Sequence, residues 1–507
     1  MLISSERPAP PLSTAIRLSK SKFLSGLQCS KRLYLEIHAP TLATPPNAST
    51  QAILDMGTEV GELARQRIPG GVLVDINHRH PTEALKRTQE LVDDLTVPAI
   101  YEGAFTYEQV LIRVDILERA GFAEDGTALW RLIEVKSSTR VKDLHIDDLA
   151  VQAYVLAGAG ITLVGTCLMH INTQYVYDGT TLDLDQLFAI QTLSDHVAAR
   201  HAKVVLRLAE MKAMLALPAP PTVEPSGHCQ SPYECPFWES CTHDKPARWI
   251  FHLPGGAHTF QSLIKLGVTM IDDIPAEFHL SINQRRMRDN VEWISARLKG
   301  MLETVRYPVH HLDFETFMPA IPKFRQTRPY QTIPTQWSNH IETEDGDVTH
   351  HEYLCLDPKD PREELVVMLL ESLGEDGSIC VYSGYERAIL ERLVDVFPAR
   401  RSDLQRAMAR LWDLFPVIRD HYYHPDFEGS YSIKSVLPAV VPSLGYGDLE
   451  IQEGGMAAQI YYRMVFDEMD LIEKIRLKEA LLNYCERDTL AMLELRRALY
   501  QKATAGC

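Results

Sequence analysis

The chain has 507 residues, 45% hydrophobic and 23% charged, an ordinary soluble composition with enough length for at least two domains, each with its own core. Its N-terminus, MLISSERPAP, lacks the apolar core of a signal peptide. The longest apolar stretch, Val155 to Ile171, is broken by three glycines, two threonines and a histidine, so no membrane span is expected and the expected location is cytoplasmic. The formal charge of −17 disfavours binding to phosphate backbones unless local basic surface exists, as at Lys20 to Lys22, Lys31-Arg32, Lys136 to Lys142, Arg285 to Arg288 or Lys323 to Arg328.

Residues 1–18 read as a flexible lead, and 19–245 as alternating helices and strands. Cys29 comes early, in LSKSKFLSGLQCSKRLYLE. VLIRVDILERA alternates apolar and polar residues and predicts a strand bearing Asp115. After a turn at EDGT, LWRLIEVKSST predicts a second strand with Glu134 and Lys136, which project together because they are two apart. A neighbouring strand can bring Asp115 beside them. Two carboxylates suit Mg²⁺ or Mn²⁺. Such an ion would polarise a phosphate and help to generate hydroxide, with the lysine orienting water or offsetting charge. An exposed salt bridge on amphipathic strands is the plainer alternative.

A Pro-rich stretch at 215–227 leads into HCQSPYECPFWESC, with Cys229, Cys235 and Cys241. In a reducing compartment such a group suggests metal or redox chemistry rather than disulfides. His228 and His243 flank it and read first as surface histidines. Cys167 and Cys380 lie in apolar strand-like runs and read as small core residues.

Residues 246–305 read as an all-helical linker. Within it, FQSLIKLGVTMIDDIP shows a helix, a glycine turn and a second helix start, a pattern that resembles a helix-hairpin-helix element; a plain helical linker is the preferred reading. Residues 306–507 again mix strands and helices. VHHLDFETF predicts a strand with Asp313 and Glu315 on one side. TQWSNHI and HEYLCLD follow as strands, then the helix REELVVMLLESL and the strand SICVYSG, with Glu386 at the next strand-to-helix junction. In the helical run EALLNYCERDTLAMLELRRAL, Tyr484 and Asp488 are four apart, on one face. Asp413 and Lys434 are weaker substrate-side candidates, with structural roles as good an account of them.

The D…E-V-K constellation resembles the PD-(D/E)xK nucleases, in particular the RecB-like branch that includes CRISPR-associated iron–sulfur exonucleases. The resemblance implies a restriction-endonuclease-like α/β domain over 19–245. It adds Gln152 and Tyr154, on the helix after the lysine strand, to the catalytic set of Asp115, Glu134 and Lys136. It also implies that Cys29, Cys229, Cys235 and Cys241, one before the core and three after, ligate a [4Fe–4S] cluster; a structural zinc is the rival. At the position of the branch's upstream histidine this chain has Gly61, with Glu62 beside it.

The second half resembles the DnaQ-like, RNase H-like DEDD exonucleases. This implies an RNase H-like α/β domain over 306–507, with Asp313, Glu315, Glu386 and Asp488 as metal ligands and Tyr484 positioning the attacking water. Glu386 stands where that family has an aspartate. The chain is also similar to a bacterial family catalogued as domain of unknown function 2779. Together these imply a Mg²⁺- or Mn²⁺-dependent exonuclease in DNA repair or defence, with nucleic acid as partner, DNA before RNA. The alternative is a non-catalytic nucleic-acid-binding or assembly protein that retains one degenerate nuclease fold.

Overall fold

Period-two strands and helices with buried faces make this a mixed α/β protein with several sheets. The computed structural model describes residues 18–255 and 257–505. These fall into two units: one formed by residues up to 45, 55–175 and 182–243, the other by 46–54, 176–181 and 244 onwards. Most of the expected lead, residues 1–17, lies outside the described residues. Leu18 does not belong to it: it is fully buried and pairs with Val110.

The strands of the first unit are β1 (Leu18–Ser19), β2 (Val72–Leu73), β3 (Ala99–Tyr107), β4 (Val110–Phe122), β5 (Ala128–Lys136), β6 (Thr162–Ile171) and β7 (Phe188–Thr192). They form one sheet in the order β2-β3-β4-β5-β6-β7, with β1 also beside β4. Strands β3, β4 and β5 run antiparallel, whereas β5 and β6 are parallel and need a crossover, supplied by helix Asp143–Gly158. That helix buries Leu149, Val151 and Val155 in the same core as Trp130 and Leu132 of β5. Glu134 continues the Trp130–Leu132 face, so it is carried beneath the helix.

In the second unit, residues 246–305 are not purely helical. The run NVEWI is rich in β-branched and aromatic residues, and Trp293–Ile294 forms β8 against β14 (Tyr422–Tyr423). Arg286 caps this ribbon by stacking 3.9 Å from the Trp293 ring centroid. The expected second helix start after Gly267 is a single 3₁₀ turn, Ile271–Asp273, cut short ahead of Pro275.

The main sheet of this unit contains β9 (Val309–Phe317), β10 (Ile333–Glu342), β11 (Val348–Leu354), β12 (Ser378–Val381) and β13 (Leu411–Asp413), in the order β11-β10-β9-β12-β13. The first three are antiparallel; β9, β12 and β13 are parallel. Alternation along β9 divides two cores. Leu312 and Phe314 pack with Leu365, Leu369 and Ile389 from helices Arg362–Leu373 and Tyr385–Val396. Val309 and Phe317 join the core that includes Leu477, Leu481 and Leu495 of the long last helix, Leu471–Ala505. Asp313 and Glu315 share the phase of Val309 and Phe317, so the strand carries both acids to the side facing the last helix.

Candidate active sites

The β4–β5 ladder, bulged between Arg119 and Gly121, ends at the pair Ile116–Ile133. At the next position the Asp115 carboxylate, not a backbone carbonyl, accepts the Val135 N–H at 2.8 Å. The strand pair thus opens where the acids sit. Glu134 is fully buried. It accepts from Lys136 Nζ at 2.6 Å, from Gln152 Nε2 at 2.7 Å and from Lys20 Nζ at 2.9 Å. Lys136 also donates to Asp148 at 2.7 Å, and Gln152 to the other Asp148 oxygen at 3.0 Å. Lys20 lies 3.5 Å from Asp115. Three carboxylates, two ammonium groups and one amide therefore form a single network.

Burial and the neighbouring Glu134 charge push the Asp115 carboxyl up to about 7. Burial also acts on Glu134, but the Lys136 and Lys20 ammoniums outweigh it and hold that group below the ordinary carboxylate range. The two acids behave as one coupled pair with Glu134 ionised.

Asp115, Glu134, Lys136 and Gln152 are brought together. Tyr154 is not: two residues beyond Gln152 it is turned about 200° around the helix, and its hydroxyl donates to Glu108 at 2.8 Å. Glu62 is exposed on helix Ala48–Gln66. Two members were missed in the sequence. Asp148 stands four residues before Gln152, on its face of the helix, and that spacing was a readable signal. Lys20 had none, because its partners lie 95 and 114 residues away.

The four cysteines line one small cavity with Lys31 and Arg32. Cys29 sits between helices Lys20–Gln28 and Ser30–His38 and accepts the Arg32 N–H at 3.5 Å. Gln28 reaches across about 200 residues of sequence to donate to the carbonyls of His228 and Tyr233, both at 2.7 Å. Within the loop, Cys235 N–H bonds the Cys229 carbonyl at 2.8 Å. His228 Nδ1 is 2.6 Å from the Ser226 hydroxyl, and His243 Nδ1 is 3.0 Å from the Ser240 carbonyl. All four cysteines border this cavity, and four thiolates are the donor set of an iron–sulfur cluster or of zinc, although among the described residues no three of their Sγ atoms lie within 4.8 Å of one another. Cys167 and Cys380 are buried in β6 and β12.

In the second unit a cavity of about 390 Å³ is lined by Asp313, Glu315, Lys434, Tyr484 and Asp488, among others. One oxygen from each of Asp313, Glu315 and Asp488 lies within 4.8 Å of the others. Tyr446 donates to Asp488 at 2.5 Å, and Lys434 Nζ is 3.1 Å from the Tyr484 hydroxyl. Tyr446 was missed for want of any local signal. Gly454 also borders the acids: a Cβ there would come 3.8 Å from Glu315 Oε2.

Glu386 stands apart from that trio. It is buried in the first turn of its helix, and its Oε2 has no hydrogen-bond partner. Burial, with the charges of Asp413 and Asp488, raises its carboxyl to about 8. Asp413 caps helix Leu414–His421 by accepting the Phe415 N–H at 2.9 Å. Burial and the Asp488 charge hold Asp313 and Glu315 well above the carboxylate range, and burial holds Asp488 at about 6. Three acids that converge on one cavity, with an orphaned carboxylate oxygen nearby, fit a divalent cation with oxygen ligands.

Residues 310–432 match a family model described as "Domain of unknown function (DUF2779)". The match includes Asp313, Glu315, Glu386 and Asp413 and ends before Lys434, Tyr484 and Asp488. It covers part of the second unit. A comparison with curated proteins finds no match. Among the described residues, no helix is long and apolar enough to cross a membrane.

Proposed function

We propose that this chain is a metal-dependent nuclease that hydrolyses phosphodiester bonds of DNA, and secondarily RNA, at two sites. The observation that carries this reading is the convergence of Asp313, Glu315 and Asp488 beside Tyr484 in an open cavity. A strand order of three antiparallel strands followed by two parallel ones, with the D-x-E pair on the central β9, supports an RNase H-like second unit. In the first unit, the Asp115, Glu134, Lys136 and Gln152 network on an opened strand pair supports a PD-(D/E)xK-like fold.

Asp313, Glu315 and Asp488, with Glu386 alongside, would hold Mg²⁺ or Mn²⁺ at the second site; Asp115 and Glu134 would do so at the first. When bound, the ion supplies Lewis acidity and activates water. The chain's own groups do the rest. Tyr484 presents its hydroxyl to the cavity, where it can orient a water, and Lys434 fixes that hydroxyl and offsets phosphate charge. Lys136 plays the matching part at the first site. The four cysteines would hold a [4Fe–4S] cluster, with zinc as the alternative, joining the start of the unit to its end.

One observation favours a non-catalytic first unit. The Lys20 ammonium bridges Asp115 and Glu134, neutralising the pair that would take the metal. Incubation of the full chain with Mn²⁺ or Mg²⁺ and end-labelled DNA and RNA separates the readings. Metal-dependent shortening of the label supports hydrolysis; intact single-stranded and duplex substrates would reject it.

A further inference from the structure

A second group of ligating side chains lies in the second unit, outside the acid cavity. His340 on β10 and His350 on β11 are direct cross-strand partners, and their rings stack at 4.4 Å. Glu486 comes from the last helix. One ligating atom from each of the three lies within 4.8 Å of the others. Glu486 and Thr489 occupy the side of the helix turned away from Tyr484 and Asp488, by the 100° step per residue.

The hydrogen bonds around the two imidazoles fix their tautomers. The Thr489 hydroxyl donates to the Glu486 carbonyl at 3.0 Å, so it has no second proton to give. His340 Nδ1, 2.8 Å from that hydroxyl, must therefore be the donor. The Ser338 hydroxyl, also 2.8 Å from Thr489 Oγ1, must donate as well. That spends the Ser338 proton, so His350 Nε2 donates to Ser338 at 2.9 Å. These donations occupy His340 Nδ1 and His350 Nε2, so His340 Nε2 and His350 Nδ1 are the ring nitrogens left for a ligand. His350 Nδ1 stands 3.9 Å from Glu486 Oε1, too far for a hydrogen bond. It is near the span of about 4 Å that two ligands on one ion with bonds of roughly 2.1 Å can reach. Ring nitrogens oriented by second partners are the usual preparation of metal-binding histidines. His350 and Glu486 are partly exposed, which gives an ion access.

We infer that His340, His350 and Glu486 form a binding site for a first-row divalent transition cation, zinc foremost, that clamps the β10–β11 hairpin to the last helix. Two imidazoles and one carboxylate prefer such an ion to Mg²⁺ or Ca²⁺. The clamp would steady the helix that carries Tyr484 and Asp488 on its other side. This site stands whether or not the acid cavity hydrolyses phosphodiesters.

The test is Zn²⁺ titration of the metal-stripped full chain by calorimetry, with Co²⁺ absorption as a second readout. The wild type is compared with His350→Ala, Glu486→Gln and Asp313→Ala. The expected result is one equivalent lost, or weakened at least about tenfold, in His350→Ala and Glu486→Gln and retained in Asp313→Ala. The cobalt spectrum of that equivalent should lack the thiolate charge-transfer bands of a cysteine site. Should His350→Ala fail to fold, Glu486→Gln decides, because that side chain is half exposed. Equal stoichiometry and affinity in the wild type and Glu486→Gln would overturn the assignment.

Discussion

At the residue scale, the two sites balance their charge differently. Around Glu134, two ammonium groups answer three carboxylates; around Asp313, burial and the neighbouring acids raise the carboxyl instead. Lys136→Ala should therefore destabilise the metal-free protein by about 1–3 kcal/mol, since it leaves a buried carboxylate pair short of a partner; thermal melts check this. Lys20→Ala removes the competing cation, and calorimetry should find Mn²⁺ binding at the first site tightened. The second site behaves differently with pH. The folded carboxyl of Glu386 is raised to about 8 from an ordinary 4.5, so its protonated form is favoured by folding. Its contribution to stability is complete below about pH 4.5 and is lost as pH rises through 8. The melting temperature of metal-free protein should fall over that window, and Glu386→Gln should flatten the slope. A slope unchanged by the substitution would contradict the assigned burial.

At the element scale, patterning was readable where one face of an element is buried. The alternation in VLIRVDILERA and VHHLDFETF marks β4 and β9, because period-two burial leaves its trace in adjacent residues. The four-residue step from Tyr484 to Asp488 works the same way in a helix. It fails for Tyr154, whose two-residue step from Gln152 turns it to another face. Contacts made by tertiary folding alone left no trace: Lys20 with Glu134, Tyr446 with Asp488, and β8 with β14. The cysteine group is legible as spacing, but its closure depends on packing. Joining Cys29 to a loop about 200 residues on restricts the unfolded chain, a term on the order of 5 kcal/mol if the bound group holds. Cys29→Ser should thus lower the melting temperature of the first unit and release iron and sulfide together. Zinc release without sulfide would identify the other metal.

At the scale of the whole molecule, the charge of −17 sets a condition on any nucleic-acid partner. Backbone contacts must come from local cations, and activity should fall steeply with added salt only where such cations exist. The two units each have their own core and their own acid constellation, so the proposed two activities would be removable one at a time. The central measurement is hydrolysis of end-labelled DNA and RNA with Mn²⁺ by four proteins: the wild type, Lys136→Ala, Asp313→Ala and the double variant. A two-site nuclease should give metal-dependent products from the wild type, lose a different subset in each single variant, and give none from the double. Undiminished digestion by the double variant, or none by the folded wild type with either metal, would contradict that reading.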